Sequence, residues 1–450
     1  MEPVKTIMDK DPRIEPFDLA YIEKEINKTY LLVDKGIIRM IIATVIGNRM
    51  GLSDKPIWLL LLAGSSCGKG AILNIIDKCG PWIVPIDTLT TNTFASGLDR
   101  DEEVSLLWKA NNGILLFKDF TTLTTMNDVA QAEIMGQMRM IYDGEFTKHT
   151  GNNVEVLWRG KLGIIAGGTV ASQRKMRQYS EQGERFLNYV FEIADAQPLT
   201  KRALKIQKGL RARTDFLAEI VAQFVNEILE SVDMSDLVIS DEVEDSMIAV
   251  ADFATMARSP VTMSKKDPTM VEFVGDREMP PRMAMMLVVI AQALMIISKE
   301  KELKGLNARI IYKIALDSIP VERRLVLRVL AEYRTASTQA IAYSLNYPTA
   351  TIRAWCNQLN ALKMINRENT GGASDMWTLR PEYKKVMCKY ENITPDDSIL
   401  EEGEGFEDSP DSQGYNAYVT DQDADDIASF NFDNYGVEPE KLQQSKDLGL

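Results

Sequence analysis

The spacing of apolar residues changes period several times along the chain, and each change marks an element. Between Leu31 and Met50, Ile37, Ile38, Ile41, Ile42, Val45 and Ile46 fall on one helical face. From Trp58 to Leu62 the sequence is apolar without a break and is soon closed by glycine, the pattern of a strand buried on both faces. After Lys69 helical spacing returns, so Trp58 to Ile76 reads as strand, loop, helix. Lys78 to Ile86 leads to a second strand, and residues 88–103 are polar and loop-like. Ile114 to Phe117 reads as a short strand and Val129 to Tyr142 as a helix. Two strands around the Gly- and Asn-bearing turn from Lys148 to Asn153 read as a β-hairpin. A third core strand spans Leu162 to Ala166, and another apolar strand follows Arg185. Strands alternating with helices predict an α/β fold with a parallel sheet.

From Lys201 to Lys304 the pattern is helical. The amphipathic runs TDFLAEIVAQFVNEIL and DSMIAVADFATMA precede a Met-rich apolar helix from Met283 to Ile297, which suits a helical lid filled by adaptable side chains. The lysine-rich SKEKELKGLNAR then reads as a linker. Pro320 to Leu379 divides into a helix, a helix-turn-helix pattern (STQAIAYSLNYPTATIRAWCNQLNALKMI) and a candidate wing (NRENTGGASDMWTLR), with Thr349 as N-cap of the second helix of the pair. Five segments result: an N-terminal extension (1–30), an α/β core (31–200), a helical lid (201–304), a C-terminal module (305–390) and a tail (391–450).

With 450 residues, 45% of them hydrophobic, the chain has room for two or three domains with a sizeable core. No apolar run looks long enough to cross a bilayer, and MEPVKTIMDKDPRIEP lacks the core of a signal peptide, so a cytoplasmic protein without membrane contact is expected. Cys67, Cys79, Cys356 and Cys388 show no C-x-x-C spacing and His149 is the only histidine, which argues against a zinc site. The net charge of −14 disfavours nucleic acid until it is divided. From Pro395 to Leu450 there are 16 acidic and 2 basic residues, which account for all of it and leave the rest balanced. That acidic tail is expected to be disordered. Its IASFNFDNY segment would dock a partner protein, compete with DNA for basic grooves, or serve solubility alone.

The loop between the first strand and helix carries the clearest chemistry. Gly64, Ser65, Ser66, Cys67, Gly68, Lys69 and Gly70 fit a turn whose backbone N–H groups converge on a polyphosphate while the lysine reaches its terminal phosphates. ATP is the expected ligand, with Mg2+. Against the pattern G-x-x-x-x-G-K-[ST], Ala63 stands where the first glycine belongs and Gly70 replaces the hydroxyl that ligates magnesium. Nucleotide binding is therefore better supported than rapid hydrolysis. The strand Ile114 to Phe117 ends at Lys118 and Asp119, which leaves the Asp119 carboxylate for magnesium coordination or for activating water. Thr169, after the third core strand, would set its hydroxyl near the γ-phosphate. Arg282 opens the Met-rich helix, where a cation opposes the macrodipole and asks for an anion; phosphate is the first choice, with Arg258 as competing candidate. The bland alternatives are a glycine turn at the loop, a strand-end aspartate, Arg185 paired with Glu184 or Glu181, and a solvated turn at Lys148 and His149.

In order and spacing these features resemble the AAA+ ATPases, in particular the minichromosome-maintenance helicases and related phage or plasmid replication ATPases. The resemblance covers roughly Pro56 to Ile297. AGSSCGKG resembles Walker A, ILLFKDF Walker B, YDGEFTKHTGNNVEVLWRGK the hairpin before sensor 1, GIIAGGT sensor 1 ending at Thr169, GERF an arginine finger at Arg185, and EMPPRMAMMLVVIAQALMII the sensor-2 region. It implies an AAA+ parallel-sheet P-loop core with a helical lid, and a homo-oligomer, a hexameric ring. There Arg185 would reach a neighbour's γ-phosphate and Lys148 would touch DNA in the channel.

The C-terminal pattern resembles a winged helix, again in the helicase arrangement. Its second helix would present Thr351, Arg353 and Asn357, and its wing Arg367, to DNA; winged helices also serve as protein contacts. Two functions are expected to compete. One is a ring-forming helicase or translocase acting in replication of a phage or mobile element, with a replication protein as a possible partner of the tail. The other is a nucleotide-switched helicase loader or regulator that hydrolyses little.

Overall fold

The computed structural model describes residues 17–30, 34–64, 67–94, 106–149, 155–176, 184–191, 196–231, 237–368, 375–396 and 398–400. Helices α1 (Leu19–Thr29) and α2 (Gly36–Arg49) precede β1 (Trp58–Leu62). The chain then enters α3 (Lys69–Leu73), which tightens into a 3-10 turn at Asn74–Ile76. Next come β2 (Ile83–Ile86), α4 (Leu106–Lys109), β3 (Gly113–Phe117), α5 (Thr121–Thr124) and α6 (Asp128–Asp143). The hairpin β4 (Glu145–His149) and β5 (Glu155–Arg159) is followed by β6 (Leu162–Gly168), α7 (Val170–Met176) and β7 (Phe186–Val190). Its turn, 150–154, lies outside the described residues.

The main sheet is five-stranded, in the order β2-β3-β6-β1-β7, with every pair parallel. Strands β1, β3 and β6 are buried at every position, as their unbroken apolar runs require. Alternate residues serve two cores. Leu59, Leu61, Leu116 and Ile165 join one, which continues through α2 and the later helices; Trp58, Leu60, Leu115 and Ile164 join an aromatic one with Phe120, Tyr142 and Phe186.

Helices α8 (Ala196–Ile206), α9 (Leu210–Ser231) and α10 (Asp241–Arg258), the hairpin β8 (Val261–Met263) and β9 (Val271–Val274), and α11 (Pro281–Ser298) follow. By length and composition α11 could cross a membrane, which the sequence reading missed. Yet Met283, Leu287, Ile290 and Leu294 are buried, and the helix packs on α2 and α10. Most of its apolar surface is buried inside the protein.

The expected linker SKEKELKGLNAR is not one. Its second half opens α12 (Gly305–Asp317), where Asn307 is buried and donates to Ser298 Oγ at 2.8 Å. The polar start hid an amphipathic helix whose Ile310, Ile311 and Ile314 enter the core. Helix α12 also closes the open edge of β7: Val190 N donates to Asp317 Oδ2 at 2.8 Å, Asn188 N to Ser318 Oγ at 3.2 Å, and Lys313 Nζ to Val190 O at 2.7 Å.

The C-terminal module comprises α13 (Val321–Glu332), β10 (Thr335–Ser337), α14 (Thr338–Leu345), α15 (Thr349–Ala361), β11 (Ile365–Glu368), β12 (Met376–Leu379), α16 (Pro381–Tyr390) and β13 (Ile399–Leu400). Its sheet runs β11-β12-β10-β13. Thr349 is not an N-cap: Pro348 precedes the helix, no side chain caps it, and Thr349 is its first residue. Order also reaches further than expected. Glu391 pairs with Arg324 at 2.7 Å, and β13 adds to the sheet, so the expected tail narrows to 401–450, outside the described residues.

Candidate functional site

The connections from β1 and from β6 leave in opposite directions, β1 towards β2 and β6 past β1 to β7. A crevice opens at such a switch, at the carboxyl ends of the strands. Three of the expected groups meet there: the Lys69 loop after β1, Asp119 after β3 and Thr169 after β6. The strand ends are tied together, since Ala63 N donates to Gly168 O at 3.3 Å and Phe120 N to Gly167 O at 2.7 Å.

Gly68 holds φ at 79°, a left-handed turn that glycine adopts without strain, and is the residue before α3. Gly64 is exposed, Cys67 and Gly70 are half-buried, and Ser65 and Ser66 lie outside the described residues. Lys69 Nζ folds back onto the loop, donating to Ala63 O at 2.9 Å and Gly64 O at 2.6 Å. Burial pushes its ammonium below the ordinary lysine range, against the opposing charges of Cys67 and Asp119. Thus a cation is held among carbonyls, with Asp119 close enough to matter. Asp119 itself is exposed and accepts from Thr121 N at 2.9 Å. Thr169 caps the start of α7, its Oγ1 accepting from Ser172 N at 3.1 Å.

Magnesium does not fit this donor set by the usual route. Gly70 has no side-chain oxygen, and Lys118, not an acid, follows β3 directly. Its Nζ lies 3.0 Å from Asp77 Oδ2, so that carboxylate is engaged by an ammonium. No group of three or more His, Cys, Asp or Glu side chains is gathered for a metal among the described residues.

Arg185 and Arg282 sit at the other end of the sheet. Phe186 pairs with Trp58 while Val190 pairs with Leu62, so Arg185 lies four residue steps or more from the Lys69 loop, about 13 Å along the strand. Arg185 is half-buried, with its guanidinium 3.6 Å from Asp143 Oδ2 and 5.5 Å from the Tyr142 ring. Arg282 Nη1 donates to Glu184 O at 3.1 Å, which puts it beside Arg185 and away from the Lys69 loop. Burial first, then the Arg282 charge, and more weakly that of Arg139, hold Arg185 below its ordinary value, with Asp143 opposing. Arg258, the competitor, is committed to Glu278, with Nε 2.7 Å from Oε2. Sequence reasoning missed Arg139, Tyr142 and Asp143, although their positions near the end of the helix before the hairpin offered a signal.

The expected DNA contacts are dispersed. Lys148 Nζ donates to Thr91 O and Asn92 Oδ1, both at 3.0 Å, binding the hairpin to the preceding loop. Thr351 is half-buried. Arg353 and Arg367 converge on the buried Asp375, at 3.8 and 2.8 Å. Asn357 is corrected: its Nδ2 donates to Thr269 O at 2.7 Å, so it faces the β8–β9 hairpin of its own chain. Counting outward-facing helical positions could not foresee that docking.

No protein-family model matches the chain, and no curated protein is significantly similar to it.

Proposed function

We propose that the chain is an AAA+-type ATP-binding protein with a C-terminal winged helix, which assembles as a homo-oligomeric ring and acts on DNA. One observation carries this: Lys69, Asp119 and Thr169 share the carboxyl edge of the parallel sheet, while Arg185 and Arg282 are paired at the opposite edge. A phosphate loop and its arginines so divided form one site only where two copies meet, which a closed ring repeats at each interface. The strand order, the hairpin before β6 and the order of α13, β10, α14, α15, β11 and β12 support the same reading. DNA would approach the hairpin and the exposed Arg353.

A helicase or translocase of replication fits the hairpin. A nucleotide-switched loader or regulator fits Gly70 and Lys118, where metal-assisted hydrolysis lacks two ligands. Nucleotide-dependent assembly and DNA-stimulated turnover, with Lys69→Ala as control, separate them. Turnover that rises with DNA supports the helicase, and assembly without turnover supports the switch. A protein that takes up no ATP at millimolar concentration ends both.

A further inference from the structure

Gly70, Asn74 and Asp77 fall at i, i+4 and i+7, one face of the turn that follows the phosphate loop. Three observations meet on that face. First, among the described residues a side chain at Gly70 would meet nothing within 4 Å, so none of them fills the space where a metal-binding hydroxyl belongs. Second, Asn74 Oδ1 and Asp77 Oδ1 are buried without a hydrogen-bond partner among the described residues. Third, Lys118 reaches this face from the end of β3, giving one of its three donors to Asp77 Oδ2 at 3.0 Å. A cation is therefore stationed at the strand end where phosphate-loop proteins place a metal-binding acid.

If, as proposed above, the Lys69 loop takes a nucleoside triphosphate, that anion needs more positive charge than one lysine supplies. We propose that Lys118 provides it: its ammonium, held by Asp77 before the nucleotide arrives, moves on its flexible stem to the terminal phosphates and takes the place of Mg2+. Binding of the triphosphate is then independent of magnesium, a departure written into Gly70 and Lys118 together.

Titration of a fluorescent ATP analogue into the full chain, in Mg2+ and in EDTA, tests this. The wild-type affinities should agree within about threefold. Lys118→Gln should weaken binding about tenfold or more in both buffers, the usual loss when a charge-assisted hydrogen bond to phosphate is removed, while Lys118→Arg should retain most of it. Gly70→Thr with Lys118→Asp restores the two missing metal ligands and should make binding depend on Mg2+. Lys118 is half-exposed, so these variants should melt near the wild-type temperature. A wild-type protein that loses more than tenfold in EDTA, or a Lys118→Gln variant that binds normally, overturns the proposal and leaves the nucleotide site standing. Absence of binding in either buffer, with wild type and Lys69→Ala alike, removes the site and the proposal together.

Discussion

Asp317 is almost fully buried, yet three groups answer its carboxylate. It receives Val190 N, the Lys313 ammonium at 3.0 Å and the Arg324 guanidinium, which also meets Glu391. Breaking such a network leaves cations stranded, so Asp317→Ala should lose about 3–5 kcal/mol in urea unfolding. Asp34 lies in the same region, and Tyr189 Oη donates to both its oxygens at 2.8 Å. Burial raises its carboxyl above the ordinary range, with Lys313 opposing. The folded state then holds that proton more tightly than the unfolded one, so its contribution is complete below the ordinary carboxylate pKa and fades as pH rises through the raised value. Melting temperatures across a pH series should show a decline above pH ~4 that Asp34→Asn lacks. At this scale the sequence was half legible. Lys69, Asp119 and Thr169 follow short local motifs at strand ends, and they do gather. Asp317 and Val190, or Arg282 and Glu184, meet across 127 and 98 residues, and no local spacing encodes such a meeting.

Elements were legible where packing on both sides left a continuous signal. The apolar strands β1, β3 and β6 follow from their runs, and α11 from its unbroken apolar surface. Where one face is polar the signal weakened. Helix α12 begins with Gly305, Leu306 and Asn307 after a lysine-rich stretch and looked like a linker, although its next two turns fill the core. The α2–α11 contact shows what such helices contribute. Gly47 lets them approach so closely that a Cβ there would lie 3.0 Å from Ile57 Cδ1 and 3.1 Å from Val289 Cγ1. Leu287, buried in that helix, should cost about 2–5 kcal/mol when changed to alanine, because the hole cannot close between packed neighbours. Met285, one face away and 56% exposed, should cost less than ~0.5 kcal/mol when changed in the same way. Thermal unfolding of the two variants side by side checks whether α11 is held by one face.

For the whole molecule, the arrangement that matters is the separation of loop and arginines across the width of one sheet. Within a single chain Lys69 cannot meet Arg185 or Arg282 without taking the sheet apart, and the sheet is buried on both faces. In the proposed ring, a second copy placed with its β7 entrance against the first copy's β1 exit would bring them together, so on that reading each defect should be repairable by a neighbour. Lys69→Ala alone should retain no labelled nucleotide. If the proposed ring holds, Arg185→Ala alone should bind through its intact loop but release quickly, since no neighbouring arginine would then close on the phosphates. Mixed in equal amounts and assembled at random, the two variants should form about one interface in four with an intact loop facing an intact arginine, by the symmetry of a ring. Slow-release nucleotide should therefore return to about a quarter of the wild-type amount. Because Arg185 packs half-buried against Tyr142, its alanine variant should first be checked for an unchanged melting temperature. Mixtures that release nucleotide as fast as Arg185→Ala alone would mean that the arginines serve the fold of their own chain, as their contacts with Asp143 and Glu184 would then suffice to explain.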